Sequence, residues 1–215
     1  MRCAPTENVA VKTLAPFTFS LLPFPFYLAC IIMRVASLLG ITLAVTLGIG
    51  GYAQVTSAVK LRDGTVYFVQ PPDLINATTT FNDVNVWGAT YYFTITVPQQ
   101  AGEPLQRVVI KQQEGADNIR YKLKDTRAFE GTRRDKGTPI KLGEVTRDRK
   151  TRTVVVNFEQ PIPPGKVITI GLRPVQNPFS SGVYLFGVTA FPAGEKSHGQ
   201  FIGYGRLPFY SNSID

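Results

Sequence analysis

The chain has 215 residues, a formal net charge of +8 at pH 7, two cysteines and one histidine. Both cysteines, Cys3 and Cys30, lie near the N-terminus, so the remainder of the chain has no disulfide and no thiolate metal ligand. Because zinc and copper sites normally combine three or four ligands, a single histidine excludes a site built from histidine and cysteine. We predict no metal and no cofactor.

A long apolar segment opens the chain. Between Thr13 and Val59 only Arg34 is charged, and this stretch is too long for one membrane span of about 20 residues. Its first part, residues 14–33, contains three prolines, and a proline inside a helix costs about 3 kcal/mol. We therefore interpret residues 1–32 as an apolar extension that is either disordered or translated upstream of a true start at Met33.

The second part has the order of a secretory signal. The sequence MRVASLLGITLAVTLGIGGYAQ starts at Met33 with one basic residue, continues as an apolar core and ends in small residues. We predict a signal peptide at residues 33–53, cleaved after Ala53, with Ala58 as an alternative. The exported product would reside in the periplasm, the cell envelope or the medium. The alternative is an uncleaved segment that anchors the protein in the membrane.

Residues 54–215 form the predicted domain, which is long enough for one buried core. Short segments rich in β-branched and aromatic residues, bounded by Gly, Pro, Asn or Asp, predict strands. The six clearest are Thr65–Gln70, Thr90–Val97, Arg107–Gln113, Asn118–Lys124, Arg152–Phe158 and Lys166–Pro174. Their spacing is typical of an all-β sandwich or barrel. We predict a single immunoglobulin-like β-sandwich.

Positive charge is concentrated in the middle of this domain, where residues 107–152 carry 14 basic and 7 acidic side chains. In the predicted strand Asn118–Lys124, basic residues alternate with apolar ones, so that one face packs and the other meets water. A polar tip at residues 147–152 follows a further predicted strand, 140–145. The predicted ligand-binding residues are Arg120, Lys122, Lys124, Arg147, Arg149 and Lys150.

An anionic envelope polymer or anionic lipid headgroups would suit such a surface. The alternative is an ordinary solvated face. Nucleic acid is not an expected partner, because the chain has no helix-turn-helix, zinc-finger or aromatic RNA-binding signature.

Two other segments make specific local predictions. DTRAFEGT, residues 125–132, is the one part of the domain that predicts a helical turn. GQFIGYGRLPFY, residues 199–210, alternates glycine with aromatic residues and predicts a terminal strand whose glycines allow close approach of rings or backbone.

Catalytic residues are not evident. His198 lies in PAGEKSHG, whose composition predicts an exposed turn. The carboxylate pairs Asp73 with Asp83 and Glu114 with Asp117 occupy turn-like contexts that favour acidic residues in any case. We predict that the protein is not an enzyme. The alternative is a carboxylate-based hydrolase that acts on envelope polymers.

Several segments carry a family resemblance. YYFTITVPQQAGEPLQRVVIKQQEG, VNFEQPIPPGKVITIGLRPVQNP and GVYLFGVTAFPAGEKSHGQFIGYGRLPFY resemble a family of proteins expected to be exported, mostly from cyanobacteria, that is described as a domain of unknown function. The resemblance covers nearly all of residues 60–210. It implies one exported domain, and it transfers no catalytic residue because the family has no assigned chemistry.

Overall fold

The computed structural model describes residues 59–60 and 63–211. The predicted extension and the signal peptide with its cleavage site lie outside these residues. In the described part of the chain, no helix has the length and apolar sequence needed to cross a membrane.

Twelve strands and one short 3₁₀ turn make up the described structure. The strands are β1 (Val59–Lys60), β2 (Val66–Tyr67), β3 (Asp73–Thr79), β4 (Tyr91–Thr96), β5 (Leu105–Gln112), β6 (Arg127–Gly131), β7 (Lys136–Ile140), β8 (Leu142–Asp148), β9 (Thr153–Ile162), β10 (Val167–Leu172), β11 (Gly182–Pro192) and β12 (Gln200–Phe209). The 3₁₀ turn is Leu123–Asp125.

Two five-stranded antiparallel sheets form a β-sandwich, which confirms the predicted fold class. The first sheet has the order β3-β4-β10-β6-β7, and the second has the order β12-β11-β5-β9-β8. β1 and β2 form a separate antiparallel pair.

The core lies between the sheets because alternate residues of each strand point inward. In β4, Tyr91, Phe93 and Ile95 are fully buried, and burial of each such side chain contributes roughly 1.5–3 kcal/mol. Aromatic contacts join the two layers: Phe186 of the second sheet lies 6.2 Å from Tyr91 and 5.7 Å from Phe93 between ring centroids.

Gly205 shows why the terminal strand is rich in glycine. A Cβ at this position would lie 2.7 Å from the Cβ of Ala77 and 2.9 Å from the Phe93 ring. Only glycine therefore lets β12 pack this closely against β3 and β4. The predicted terminal strand and its close approach are confirmed.

The segment Asn118–Lys124 is not a strand, contrary to prediction. Its pairing is limited to one bridge between Tyr121 and Pro174, with hydrogen bonds of 2.8 Å from Lys122 N to Arg173 O and from Val175 N to Arg120 O. Beyond this bridge the backbone bonds locally, from Asp125 N to Lys122 O at 2.9 Å and from Thr126 N to Leu123 O at 3.1 Å, and the chain enters the 3₁₀ turn. The predicted alternation of exposed basic and buried or half-buried apolar residues is nevertheless present.

The helical turn predicted at residues 125–132 is also wrong, because residues 127–131 form β6. Ala128 is buried and pairs with Ile170 of β10, so sheet pairing and burial outweigh the local preference. The predicted strand Thr65–Gln70 is shorter than expected, since only Val66 and Tyr67 pair.

Hydrogen bonds gather several loops at one end of the sandwich, which we call the upper end. Asn85 N donates to Pro178 O at 2.9 Å, and Val84 N donates to Tyr210 O at 3.0 Å. Asn118 Nδ2 donates to Arg149 O at 3.2 Å. Residues 80–90, 113–122, 149–152, 173–181 and 210–211 therefore lie together there.

Candidate binding site

Three of the six predicted ligand-binding residues come together at the upper end. Arg147 Nη2 donates to Asn118 Oδ1 at 2.6 Å and to Ile119 O at 2.8 Å. These bonds, with that from Asn118 to Arg149 O, hold the 118–120 segment against the tip of the β8–β9 hairpin. We call Arg120, Arg147 and Arg149 the arginine cluster.

The positive charges of this cluster affect the pKa of Arg147. Desolvation lowers the pKa of Arg147; the neighbouring Tyr121 raises it, and the guanidinium groups of Arg149 and Arg120 lower it further. The three cations are therefore close enough to repel one another, which favours an anion beside them.

The other three predicted residues are exposed but occupy different positions. Lys122 lies on the extended segment before the 3₁₀ turn, and Lys124 lies within that turn. Lys150 belongs to the β8–β9 turn, where its N–H donates to Asp148 Oδ1 at 2.8 Å. The expected single strand face does not exist, because residues 118–124 do not form a strand.

A larger cationic surface lies on the outer face of the first sheet. The turn between β6 and β7 covers part of this face: Arg133 Nη1 donates to Thr79 O at 2.9 Å, and its guanidinium carbon lies 5.3 Å from the Tyr92 ring centroid. The turn can bend because Gly131 has φ +87°, and a Cβ there would collide with Asp135 O.

Two adjoining depressions form what we call the outer-face groove. One has a volume of about 660 Å³ and is lined by Ile75, Asn76, Thr78, Thr94, Thr132, Arg133 and Arg134. The other has a volume of about 360 Å³ and is lined by Thr90, Tyr92, Asp125, Arg127, Ala128, Phe129, Lys136, Gly137, Pro139, Gly171 and Arg173. They adjoin because Tyr92, which lines the second depression, and Thr94, which lines the first, are alternate residues on the outer face of β4.

Cations dominate the groove. It is lined by Arg127, Arg133, Arg134, Lys136 and Arg173, whereas Asp125 is the one carboxylate among the described lining residues. Asp125 Oδ2 lies 3.8 Å from Arg173 Nε, so this carboxylate offsets the charge of one arginine.

Aromatic rings hold two of these cations in place. Arg133 lies over Tyr92, and Lys136 Nζ lies 5.5 Å from the Phe129 ring centroid. Such cation–π contacts contribute about 0.5–1 kcal/mol each at exposed sites. They reduce the freedom of the two side chains before a ligand arrives.

Hydroxyl groups fix the floor of the groove. Thr169 Oγ1 donates to Gly131 O at 2.7 Å, and Thr94 Oγ1 lies 3.0 Å from Thr169 Oγ1. Because the proton of Thr169 is already used, Thr94 is the donor of the second bond. These two hydrogen bonds connect the base of the β6–β7 turn to β10 and β4.

The sequence indicates the basic middle region but does not indicate the groove. Arg127, Arg133, Arg134, Lys136 and Arg173 approach one another only through the pairing of β6 with β7 and β10. The signal available was the run of basic residues between Arg127 and Lys136.

The structure separates Asp73 from Asp83 and holds Asp117 in hydrogen bonds. Asp73 begins β3 and Asp83 lies beyond the end of that strand. Because a strand rises about 3.3 Å per residue, the length of β3 separates the two carboxylates. Asp117 Oδ2 accepts hydrogen bonds from Ser180 N at 2.8 Å and Tyr184 OH at 3.1 Å. The backbone N–H of Ser180 is the main reason that the pKa of Asp117 is lowered, so this carboxylate acts as a fixed acceptor.

His198 lies in the exposed turn that the sequence predicts, at the end of the sandwich opposite the upper end. The backbone N–H of His198 donates to Val66 O at 3.0 Å, and the imidazole centroid lies 4.6 Å from the ring centroid of Tyr67. Within residues 63–211, no group of three or more His, Cys, Asp or Glu side chains is arranged to hold a metal ion.

Comparison with protein families gives one match: the family model described as Protein of unknown function (DUF2808) matches residues 65–209. No curated protein matches the chain.

Among solved structures, the C-terminal domain of the Streptococcus pyogenes antigen I/II-family protein AspA is similar, with 13% identity over 62% of this chain and 46% of that one, and a TM-score of 0.38. The collagen-binding domain of a Staphylococcus aureus adhesin shows 9% identity over 63% of this chain and 97% of its own, with a TM-score of 0.35. The Streptococcus agalactiae BspA C-terminal domain shows 15% identity over 59% of this chain and 45% of its own, with a TM-score of 0.36. The chain thus spans less than half of the two streptococcal structures.

Proposed function

Because the chain belongs to the DUF2808 family, whose description names no activity, we propose from the outer-face groove that it is a non-enzymatic module that binds an anionic polysaccharide of the cell envelope. The observation that carries this proposal is the presence of five cations and one carboxylate around a groove floored by a rigid sheet.

The groove favours a polymer over a small anion. Its two depressions have separate sets of cations, Arg133 and Arg134 in one and Arg127, Lys136 and Arg173 in the other. A chain with repeated carboxylate or sulfate groups can contact both sets at once. Asn76 and the threonine hydroxyls along the groove add neutral hydrogen-bonding groups suited to sugar hydroxyls.

Gly171 supports binding of an extended ligand because it keeps the floor low. A Cβ there would lie 3.3 Å from Thr90 Cγ2 and 3.3 Å from Tyr92 Cε1, so a larger residue would displace the side chains beside the groove. Glycine within a strand commonly marks a place where another chain approaches closely.

Export belongs to the same proposal. A signal peptide at residues 33–53 would place the domain beside envelope polymers, and cleavage after Ala53 would release it. The intact mass of the chain recovered from its host distinguishes this processed form from one that retains the apolar segment.

Binding is tested by measuring retention on immobilised alginate, with neutral dextran as the control polymer. We expect the protein to bind alginate at low salt and to be released as salt is added, because exposed charges are screened beyond about 8 Å at physiological ionic strength. The double charge reversal Arg133→Glu/Arg134→Glu should weaken binding about tenfold or more. Lys111→Glu/Arg206→Glu, an equal change of charge at exposed positions on β5 and β12 of the second sheet, is the matched control.

Equal binding by the double variant and the wild type would contradict the groove as the site. The hydrolase alternative predicts turnover instead of retention, so release of reducing ends from alginate by the wild-type protein would contradict the non-enzymatic proposal.

A further inference from the structure

Four large aromatic side chains are exposed at the upper end of the sandwich. The exposed fractions are 45% for Phe81, 63% for Trp87, 67% for Phe179 and 55% for Tyr210. We call these residues the aromatic end. Single exposed apolar residues are ordinary, but several on adjoining loops indicate a surface that meets another apolar phase.

The loops that carry these rings are fixed by one buried side chain. Asn177 Nδ2 donates to Phe81 O at 3.0 Å and to Asp83 O at 2.8 Å, while its Oδ1 accepts from Tyr91 OH at 3.0 Å. The side chain thus links the 81–83 segment to the start of β4 in the core.

Backbone hydrogen bonds complete the platform. Asn177 N donates to Val86 O at 2.8 Å, and Tyr210 N donates to Asn82 O at 2.8 Å. The segments that contain Trp87, Phe179 and Tyr210 are therefore hydrogen-bonded to one another. The loop conformation keeps these side chains exposed.

The arginine cluster adjoins the aromatic end. Arg120 and Phe179 line the same small depression, and Arg147 is bonded to Asn118 and Ile119 in its wall. Asp117 also lines this depression, but its carboxylate is bonded to Ser180 N and Tyr184 OH. Three more carboxylates lie at or beside this end: Asp83 is half-buried, Glu114 is exposed, and Asp148 accepts hydrogen bonds from Lys150 N and Thr151 Oγ1.

We propose that the aromatic end docks on the interface of an anionic lipid bilayer, a site distinct from the outer-face groove. Trp and Tyr favour the headgroup level because their rings are apolar and their N–H or O–H remains hydrated. Arginine binds phosphate through paired N–H groups. A free phosphate or a soluble polyanion would engage the arginines and leave the rings exposed, whereas a bilayer accounts for both.

The chain contains one tryptophan, so the fluorescence of Trp87 reports this surface directly. The full chain is titrated with vesicles of phosphatidylcholine alone or of equal parts phosphatidylcholine and phosphatidylglycerol, with and without brominated acyl chains. We expect a blue shift and bromine quenching with the anionic vesicles. The apolar N-terminal segment has no tryptophan, and vesicles of phosphatidylcholine alone control for tethering of the domain through that segment.

Two sets of variants separate the parts of the surface. Arg120→Glu/Arg149→Glu should raise the anionic lipid concentration needed for the shift by more than about tenfold, because two positive charges near the anionic surface are replaced by two negative ones. Phe179→Ser/Tyr210→Ser should weaken Trp87 quenching, whereas Phe201→Ser/Tyr204→Ser, an exposed aromatic pair on β12, should leave it unchanged.

An unchanged Trp87 spectrum with anionic vesicles would overturn the proposal. So would a shift produced equally by alginate, or quenching that survives both upper-end double variants. Because the alginate assay depends on Arg133 and Arg134, failure of either proposal can be recognised while the other stands.

Discussion

The Tyr91 hydroxyl donates a 3.0 Å hydrogen bond to Oδ1 of Asn177, and both residues are at most 1% exposed. Burial raises the pKa of Tyr91 strongly, so its hydroxyl remains protonated as the donor. This bond joins the core to the aromatic end.

Asn177→Ala should lower the free energy of unfolding by at least about 2 kcal/mol, because it leaves the Tyr91 hydroxyl and two carbonyls without their partner. Urea denaturation followed by circular dichroism measures the loss. Tyr91→Phe, which removes one of the three bonds, should cost less. An Asn177→Ala variant as stable as the wild type would contradict the linking role of this side chain.

Gly205→Ala should destabilise the sandwich by about 1–3 kcal/mol, since the added methyl overpacks the contact with Ala77 and Phe93. Gly143→Ala is the matched control, because its Cβ would lie 3.6 Å from the nearest atom, Asn157 O. Thermal unfolding of both variants compares the two sites. Equal effects would show that β12 does not need a glycine for packing.

Asp117→Asn should lower stability near pH 7 by about 1–2 kcal/mol, because the charged acceptor of two hydrogen bonds is lost. The pKa of Asp117 is lowered by folding, so its contribution is complete above the unfolded value of about 3.9 and is lost as pH falls through the folded value. The difference from wild type should therefore narrow near pH 3.

Urea denaturation at both pH values tests this dependence, with Glu114→Gln as an exposed neighbouring control. If Asp117→Asn and the wild type differed in unfolding free energy by the same amount at both pH values, the charge of Asp117 would not be the cause of the lost stability.

His198→Ala should change stability by less than about 1 kcal/mol, because the residue is exposed and the backbone N–H that bonds Val66 O is retained. Loss of the contact with Tyr67 accounts for most of the change. Calorimetry measures the stability of the variant, and the alginate assay measures whether it still binds. Abolished retention would give the histidine a functional role that its position does not suggest.

The sequence predicts those parts of the fold that depend on local alternation. Tyr91, Phe93 and Ile95 repeat every second residue and become the buried face of β4. The strand predicted at Asn118–Lys124 is wrong although its alternation is present, because after one bridge to Pro174 the carbonyls of Lys122 and Leu123 accept local bonds of the 3₁₀ turn.

The groove was less predictable because it depends on strand order. Arg133 reaches Tyr92 and Thr79 only after β10 has paired between β4 and β6. Local sequence does not specify that order. By contrast, Arg147 and Arg149 were predicted beside Arg120 because the β8–β9 tip is a local feature with a strong polar signal.

The edge strands β7 and β8 have a consequence for self-association. β7 contains Pro139 and begins at the exposed Lys136, while the pairing of β8 with β9 is interrupted between Leu142 and Val145. Proline, charge and a bulge each hinder the addition of another strand to a sheet edge. At high local concentration these two edges are therefore poor templates for joining neighbouring copies into fibrils.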